Sequence, residues 1–309
     1  MKSVVVNKND ANQRIDNFIK KVFPKLSLTQ IYKYLRIKRI KVNNKKVPIN
    51  YQLQLNDKID LYINDELLSN DNKKDFLLTN KPIEIIYEDD NILLVNKPIG
   101  LVVHEDETNN PDTLLNRIKN HLIKKGEWDY QNENSFAPSL VNRIDRNTTG
   151  IVIAAKNAES LRILNEKIKN HEIKKTYYAR VWGIIDPKQG ELTGFLTKNS
   201  KTKMVKISKK PISKDSKQII TKYKTISHDK ETSLLEIELI TGKTHQIRAH
   251  MAFIGHPLVG EQKYSNDSVK KTKGFQHLCA YKIKFCFKTN ASTLNYLNNK
   301  EFKLKSINL

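Results

Sequence analysis

Cysteine is almost absent from the 309 residues: Cys279 and Cys286 are the two present. That is too few for a disulfide scaffold or a structural zinc site, and a reducing cytoplasm is the expected compartment. No apolar run approaches the roughly 20 residues a membrane span requires, and the opening MKSVVVNKNDANQ lacks the apolar core of a signal peptide. There is no internal repeat, no Walker loop and no GxGxxG, so neither a nucleoside triphosphate nor a dinucleotide is expected. Acid is in short supply, with 33 Asp and Glu against 55 Lys and Arg, a net charge of +22. A field of that size suits a polyanionic partner better than a neutral metabolite. Arginine is scarce as well. Only residues 14, 36, 39, 117, 143, 146, 162, 180 and 248 are Arg, in a chain rich in Lys, Asn and Ile. Where Arg persists, it points to a need for a planar bidentate fork more than for bare charge, which directs attention to Arg143, Arg146 and Arg248.

What is present fits about two domains, with 38% hydrophobic and 28% charged residues. Residues 1–64 read as one compact unit. Ile15, Phe18, Ile19 and Val22 recur at helical spacing before Pro24, and Ser27 is placed to cap a second helix containing Ile31 and Leu35. Alternation follows, with Ile40 and Val42 on one side and Arg39 and Lys41 on the other. This unit holds 14 Lys and Arg against 4 Asp and Glu. Six of those bases, Arg36, Lys38, Arg39, Lys41, Lys45 and Lys46, lie within eleven residues that straddle a helix end and a strand. They predict a patch that contacts RNA or DNA, the plainer alternative being a solvated helix face. Residues 65–82 are polar and end at Pro82, as a linker would. From residue 83 onward a hairpin around Glu88-Asp89-Asp90, helices over 113–122 and 156–169, and several strands predict an α+β domain with a largely antiparallel sheet.

Three segments in that domain carry chemistry. In LVNRIDRNTTGIVIAAK (140–156) Asp145 sits between Arg143 and Arg146 ahead of a turn, and neighbouring cations favour its ionised form. In KKTYYARVWG (174–183) Tyr177, Ala179 and Val181 share one strand face. ITGKTHQIRAHMAFIGHPLVGEQKY (240–264) holds His245, His250 and His256. Each has a purely structural reading too: a salt bridge at a turn, a core tyrosine, scattered histidines. Zinc is not expected of these histidines, since no thiol is near, Glu261 is the only acid, and spacings of five and six do not share a helix face.

Together the segments closely resemble the RluA/RluC-type pseudouridine synthase family. Its first motif, H-R-L-D-x-x-T-S-G, is matched by Asn142 to Gly150. Its second, K-x-Y-x-A-x-V-x-G, is matched at Lys175, Tyr177, Ala179, Val181 and Gly183. Its third, G-[RK]-T-H-Q-I-R-x-H, is matched from Gly242 to His250, and an L-H-A-like element follows at Gln276 to Ala280. Residues 10–63 resemble the small α/β RNA-binding module of the ribosomal protein S-four (alpha-L) type. The resemblance implies an S-four-like module over 1–64, a linker over 65–82 and a catalytic domain over 83–309. It also implies that Asp145 is the essential carboxylate, that Arg248 orients it, that Tyr177 packs on the uracil ring, that Arg143 enters the RNA stack vacated by a flipped base, and that Leu278 lines the uracil pocket. Whether Asp145 attacks C1′ or takes the C2′ proton stays open. Because the net reaction is an isomerisation, no cofactor and no metal is implied.

The implied function is conversion of specific uridines to pseudouridine, foremost in large-subunit (23S) ribosomal RNA or an assembly intermediate, by a monomer. A transfer-RNA or dual-specificity target and a non-catalytic RNA-binding assembly factor are the alternatives. Asn142 stands for the usual His and Thr149 for Ser, neither touching the acid. Lys38 and Asn44 occupy turn positions where glycine is common, and Lys suffers a steric penalty in left-handed backbone. The lysine-dense stretch 198–218 is expected to form a basic hairpin flanking the cleft.

Overall fold

The computed structural model describes residues 1–69, 75–105, 110–199, 202, 204–265, 274–307 and 309. The first 64 residues form strand β1 (Lys2–Val5), helices α1 (Ile15–Val22) and α2 (Leu28–Arg36), and strands β2 (Ile40–Val42) and β3 (Lys58–Leu61). The strands pair antiparallel in the order β1-β3-β2. Ile15, Phe18, Ile19 and Val22 turn one face of α1 inward. Ser27 caps α2 by accepting from the Gln30 N–H while the Gln30 side chain returns to the Ser27 N–H, a reciprocal box that satisfies two otherwise orphaned donors. Ile31, Leu35, Ile40 and Val42 complete the core of this unit. Lys38 and Asn44 both have φ of +63°, so Lys38 does occupy left-handed backbone that glycine takes more cheaply.

The remainder contains β4 (Glu84–Glu88), β5 (Ile92–Lys97), α3 (Leu114–Lys124), β6 (Ser139–Leu140), β7 (Thr149–Ala155), α4 (Ala158–Lys169), β8 (Ile173–Trp182) and β9 (Gln189–Lys198). It continues with β10 (Val205–Ser208), β11 (Lys217–His228), β12 (Thr232–Leu239), α5 (Gln246–Phe253), β13 (Leu278–Phe285) and β14 (Glu301–Lys303). The strands form one 11-stranded sheet, ordered β10-β9-β11-β12-β8-β13-β7-β5-β4, with β14 on β13 and β6 on β7. The sheet is antiparallel except at β13 and β7, which run parallel with Cys279 opposite Thr149 and Ala280 opposite Gly150.

Alternation puts apolar residues on both faces of this sheet, and each face has its own helices. Leu93, Val95, Val152, Tyr177, Ala179 and Leu278 belong to the face covered by α3 and α5. Ile92, Leu94, Ile151, Ile153, Cys279 and Ile283 belong to the opposite face with Leu164 of α4. The stretch expected to be a polar linker is anchored at both ends. Short 3₁₀ turns put Leu68 into the core of the N-terminal unit and Phe76 against Trp128 and Tyr130 of the larger one. Residues 70–74 of it lie outside the described residues. The two units meet across a polar seam. The buried Asp10 carboxylate accepts from the Asn134 amide at 2.6 Å and the Ser135 hydroxyl at 2.6 Å, while Asn7 and Asn9 donate to Glu133.

Candidate active site

The loop between β6 and β7 carries Asp145, and three devices hold it. Asn142, where the family's motif has His, accepts from the Ile153 N–H at 2.8 Å and donates to the Ile151 carbonyl, tying the start of the loop to β7. The Thr148 N–H donates to the Asp145 carbonyl at 3.0 Å. Lys97, whose side chain is fully buried at the end of β5, donates to the carbonyls of Pro98, Leu101 and Arg146 at 2.8 Å each. Burial pushes the Lys97 ammonium down to about 7 against the pull of the Asp145 carboxylate, and the three carbonyls give its protons partners. Gly150 follows with φ of +117°. A Cβ there would lie 2.3 Å from the Ala280 carbonyl oxygen, so only glycine lets β7 approach β13 this closely.

The partner of Asp145 is not either neighbouring arginine. Arg143 is exposed, and Arg146 is exposed with its Nε donating to the Gly100 carbonyl at 3.1 Å. Arg248, 103 residues away on α5, donates from Nη1 to Asp145 Oδ2 at 3.1 Å. The rest of its fork is taken by Glu261: Nε to Oε2 at 2.8 Å and Nη2 to Oε1 at 2.7 Å. The Glu261 side chain is fully buried and also accepts from the Lys263 N–H. Burial opposes its charge, but the Arg248 fork outweighs burial and holds it below the ordinary carboxylate value. Tyr264 lies beneath the guanidinium, 5.5 Å from ring centre to Cζ. Oδ1 of Asp145 has no hydrogen bond among the described residues, which leaves one carboxylate oxygen for a reactant.

His245 opens α5 in left-handed backbone, φ +55°. Its Nδ1 pairs with the Tyr264 hydroxyl at 2.6 Å and its Nε2 lies 3.7 Å from Asp145 Oδ2. Burial, with Arg248 and Lys263, outweighs Asp145 and keeps this imidazole below its usual value. The other two histidines of the segment have separate partners, His250 on the Thr221 hydroxyl and His256 on the Trp182 carbonyl. A cleft of about 950 Å³ opens above these groups, lined by Arg143, Asp145, Tyr177, Arg248, Gln276 and Leu278 among others. Tyr177 is buried, and burial followed by Asp145 raises its phenol well above the ordinary range. It is therefore a neutral phenol at any physiological pH. Arg36, Lys38 and Arg39 are exposed on the N-terminal unit, and Lys41 lies over the Tyr62 ring. They are not part of the cleft lining.

The family described as RNA pseudouridylate synthase matches residues 91–253. An "Uncharacterized RNA pseudouridine synthase" of Mycoplasma capricolum subsp. capricolum is 36% identical over 306 residues, 97% of this chain and 96% of the relative. The chain belongs to the RNA pseudouridylate synthase family. It is thus an isomerase acting on RNA. Among further relatives of this synthase is the ribosomal large subunit pseudouridine synthase C of Buchnera aphidicola, 33% identical over 263 residues, 84% of this chain and 79% of that one. The solved human RNA pseudouridylate synthase domain containing 4 shares the fold, with a TM-score of 0.55 over 72% of this chain and 88% of its own at 20% identity. Among the described residues, no helix of the synthase is long and apolar enough to cross a membrane.

The residues that the sequence of this synthase singles out, Asp145, Tyr177, Arg248, Arg143 and Leu278, meet in one cleft. Glu261 holds Arg248 and Lys97 holds the Asp145 loop without a role having been read for either in the sequence, while Gln276 and His245 lay within matched motifs with no role assigned to them. Glu261 had one usable signal: it is the sole acid in a segment whose arginine needs a partner.

Proposed function

We propose that this synthase modifies uridines of large-subunit ribosomal RNA, with Asp145 as the essential carboxylate. The observation that carries the assignment of Asp145 is the chain of Glu261, Arg248 and Asp145. It fixes one carboxylate oxygen and leaves the other available at the wall of a cleft large enough for a nucleotide. The target nucleotide is extruded from its stack, since C5 and the glycosidic bond are inaccessible within it, at a cost of roughly a few kcal/mol. Arg143 takes the vacated place in the RNA, and the ring packs against Tyr177 and Leu278. The N1–C1′ bond breaks, the base turns, C5–C1′ forms, and the proton lost from C5 is balanced by one gained at N1. The neutral Tyr177 phenol is the proposed relay for the C5 proton, with Arg248 holding Asp145 in place.

The ribosomal target is supported by the name of the Buchnera relative and by the basic N-terminal unit, taken as an S-four-like module. The exposed Arg36, Lys38 and Arg39, with Lys41, are its proposed RNA contacts. The lysine-dense stretch 198–218 spans β10 and its flanking turns, residues 200, 201 and 203 lying outside the described residues. The Val205 N–H donates to Tyr264 at 3.3 Å, which supports a second basic wall beside the cleft. Exchanging Arg36, Lys38, Arg39 and Lys41 for Gln is expected to weaken RNA binding. The slope of log K against log salt should become shallower by about 0.7–0.9 for each phosphate that is no longer neutralised, seen by filter binding at several salt concentrations. An unchanged slope removes these residues from the interface.

The test of function is a map of pseudouridine in total RNA from cells with and without the gene. Loss of sites in large-subunit ribosomal RNA is the expected result. Loss confined to transfer RNA moves the substrate, and loss of none leaves an RNA-binding assembly factor as the better reading.

A further inference from the structure

We infer that Gln276 reads the uracil ring, its side-chain amide donating to the carbonyl oxygen at the edge of the base far from the ribose. This rests on the reading that a uridine enters the cleft and adds a residue that recognises it. Among the described residues, seven buried side-chain polar atoms lack a hydrogen-bond partner, and two of these belong to the lining of the cleft: Gln276 Nε2 and Thr148 Oγ1. Gln276 is 4% exposed. An amide N–H buried without a partner is costly, and in native structures such a group is ordinarily completed by water, an ion or a ligand.

The backbone of Gln276 is fixed by the frame that fixes Asp145. A Cβ on Gly260 would fall 2.1 Å from the Phe275 carbonyl oxygen and 3.1 Å from the Gln276 nitrogen, so the chain at 275–276 lies directly on the residue before Glu261. The His277 N–H donates to the Val259 carbonyl at 2.8 Å. On the other side β13 begins at Leu278, beside β7 in parallel register, next to the loop that ends at Thr148. Gln276 is therefore set between the loop that holds Arg248 and the strand that carries Leu278.

The edge of the base that it meets follows from seating the ribose at Asp145. The Asp145 side chain is 24% exposed and Gln276 is 4% exposed, and the proposal seats the ribose at Asp145 with the base extending toward Gln276. The base enters with its far edge, N3 and O4, toward that residue. An N–H donor there pairs with O4 of uracil and opposes the amino group that cytosine carries at the same position. Uracil is nearly symmetric about its N3–C6 line, and a half-turn about that line exchanges N1 with C5 and O4 with O2. The same fixed donor thus meets a carbonyl oxygen before and after rotation, and the product keeps the hydrogen bond that the substrate made.

The test compares wild type, Gln276→Leu and Gln276→Glu in single-turnover assays on transcribed large-subunit ribosomal RNA from pH 5 to 8. Melting temperatures check that each variant is folded. Gln276→Leu should lose about tenfold in kcat/KM at every pH, the worth of one neutral hydrogen bond. Gln276→Glu should lose about 100-fold or more at pH 8, where a carboxylate faces a carbonyl oxygen. Its ratio to wild type should rise about tenfold per unit as pH falls, until the protonated acid, a donor, predominates. On RNA made with 4-thiouridine, whose sulfur accepts poorly, wild type should slow and Gln276→Leu should be indifferent, an arm that holds even if the Glu variant fails to fold. Parallel pH profiles for the two variants, a Leu variant within twofold of wild type, or equal sensitivity to sulfur would overturn the assignment. Wild type converting no uridine at all would instead sink the functional reading beneath it.

Discussion

Asp145→Asn is expected to lower pseudouridine formation by at least about 10⁴-fold, the upper range for removal of an acid–base group, with little change in fold or RNA affinity. The structure says why these separate. An asparagine oxygen at the Oδ2 position still accepts from Arg248 Nη1, now 3.1 Å away. Arg248 does not become an unpaired buried charge, because Glu261 already holds it through two bonds. The loop itself is pinned by Asn142 and Lys97, not by the carboxylate. What disappears is the negative charge, which both candidate roles, attack at C1′ and removal of the C2′ proton, require. Single-turnover assays beside filter binding and thermal melts read all three quantities. Turnover above about 1% of wild type, or a collapse of the melting transition, would contradict the assignment.

Arg248→Met should fail in a different way. Without the guanidinium the Glu261 carboxylate is fully buried with only backbone donors, a situation that costs about 3–5 kcal/mol. Asp145 also loses its anchor, so activity falls together with stability. Pairing Arg248→Met with Glu261→Leu removes the stranded charge, and stability in urea should largely return while activity does not. Since burial works against Glu261 and the Arg248 fork prevails, its folded-state pKa lies below the unfolded one. Its contribution is present above the unfolded value of about 4.3 and is lost as pH falls through the lower folded value. Urea titrations at descending pH should therefore show the stability advantage of wild type over the double variant shrinking below about pH 4. A double variant as unstable as Arg248→Met would show that the ion pair does not explain the loss.

Local signals were legible wherever the chain decides its own conformation. Ser27 marked the start of α2, the acidic turn marked the β4–β5 hairpin, and the period-two and period-3.6 patterns placed most elements. Long-range pairing was not legible. Nothing local says that β13 joins β7 in parallel, or that the continuous apolar run of β5 means burial on two faces. In the site, Asp145 and Arg248 stood out through motif resemblance, and the structure pairs them. Arg143 and Arg146 flank Asp145 in the chain without a bond to its carboxylate, while its hydrogen-bond partner comes from α5. Glu261 and Lys97 escaped because burial gives each its significance, and burial is a property of the folded chain.

One buried ammonium, that of Lys97, gathers carbonyls from the turn after β5 and from the residue beside Asp145. The two segments are thereby tied together through one side chain, a jig on the function proposed here. A jig does not bend to its workpiece. On the function proposed here, the bending falls on the RNA, and the uridines modified are those whose surroundings yield most cheaply, in loops, at bulges or beside mismatches. The address is then written partly in the mechanical compliance of the transcript, and stiffening the RNA around a target should protect it as surely as changing its sequence.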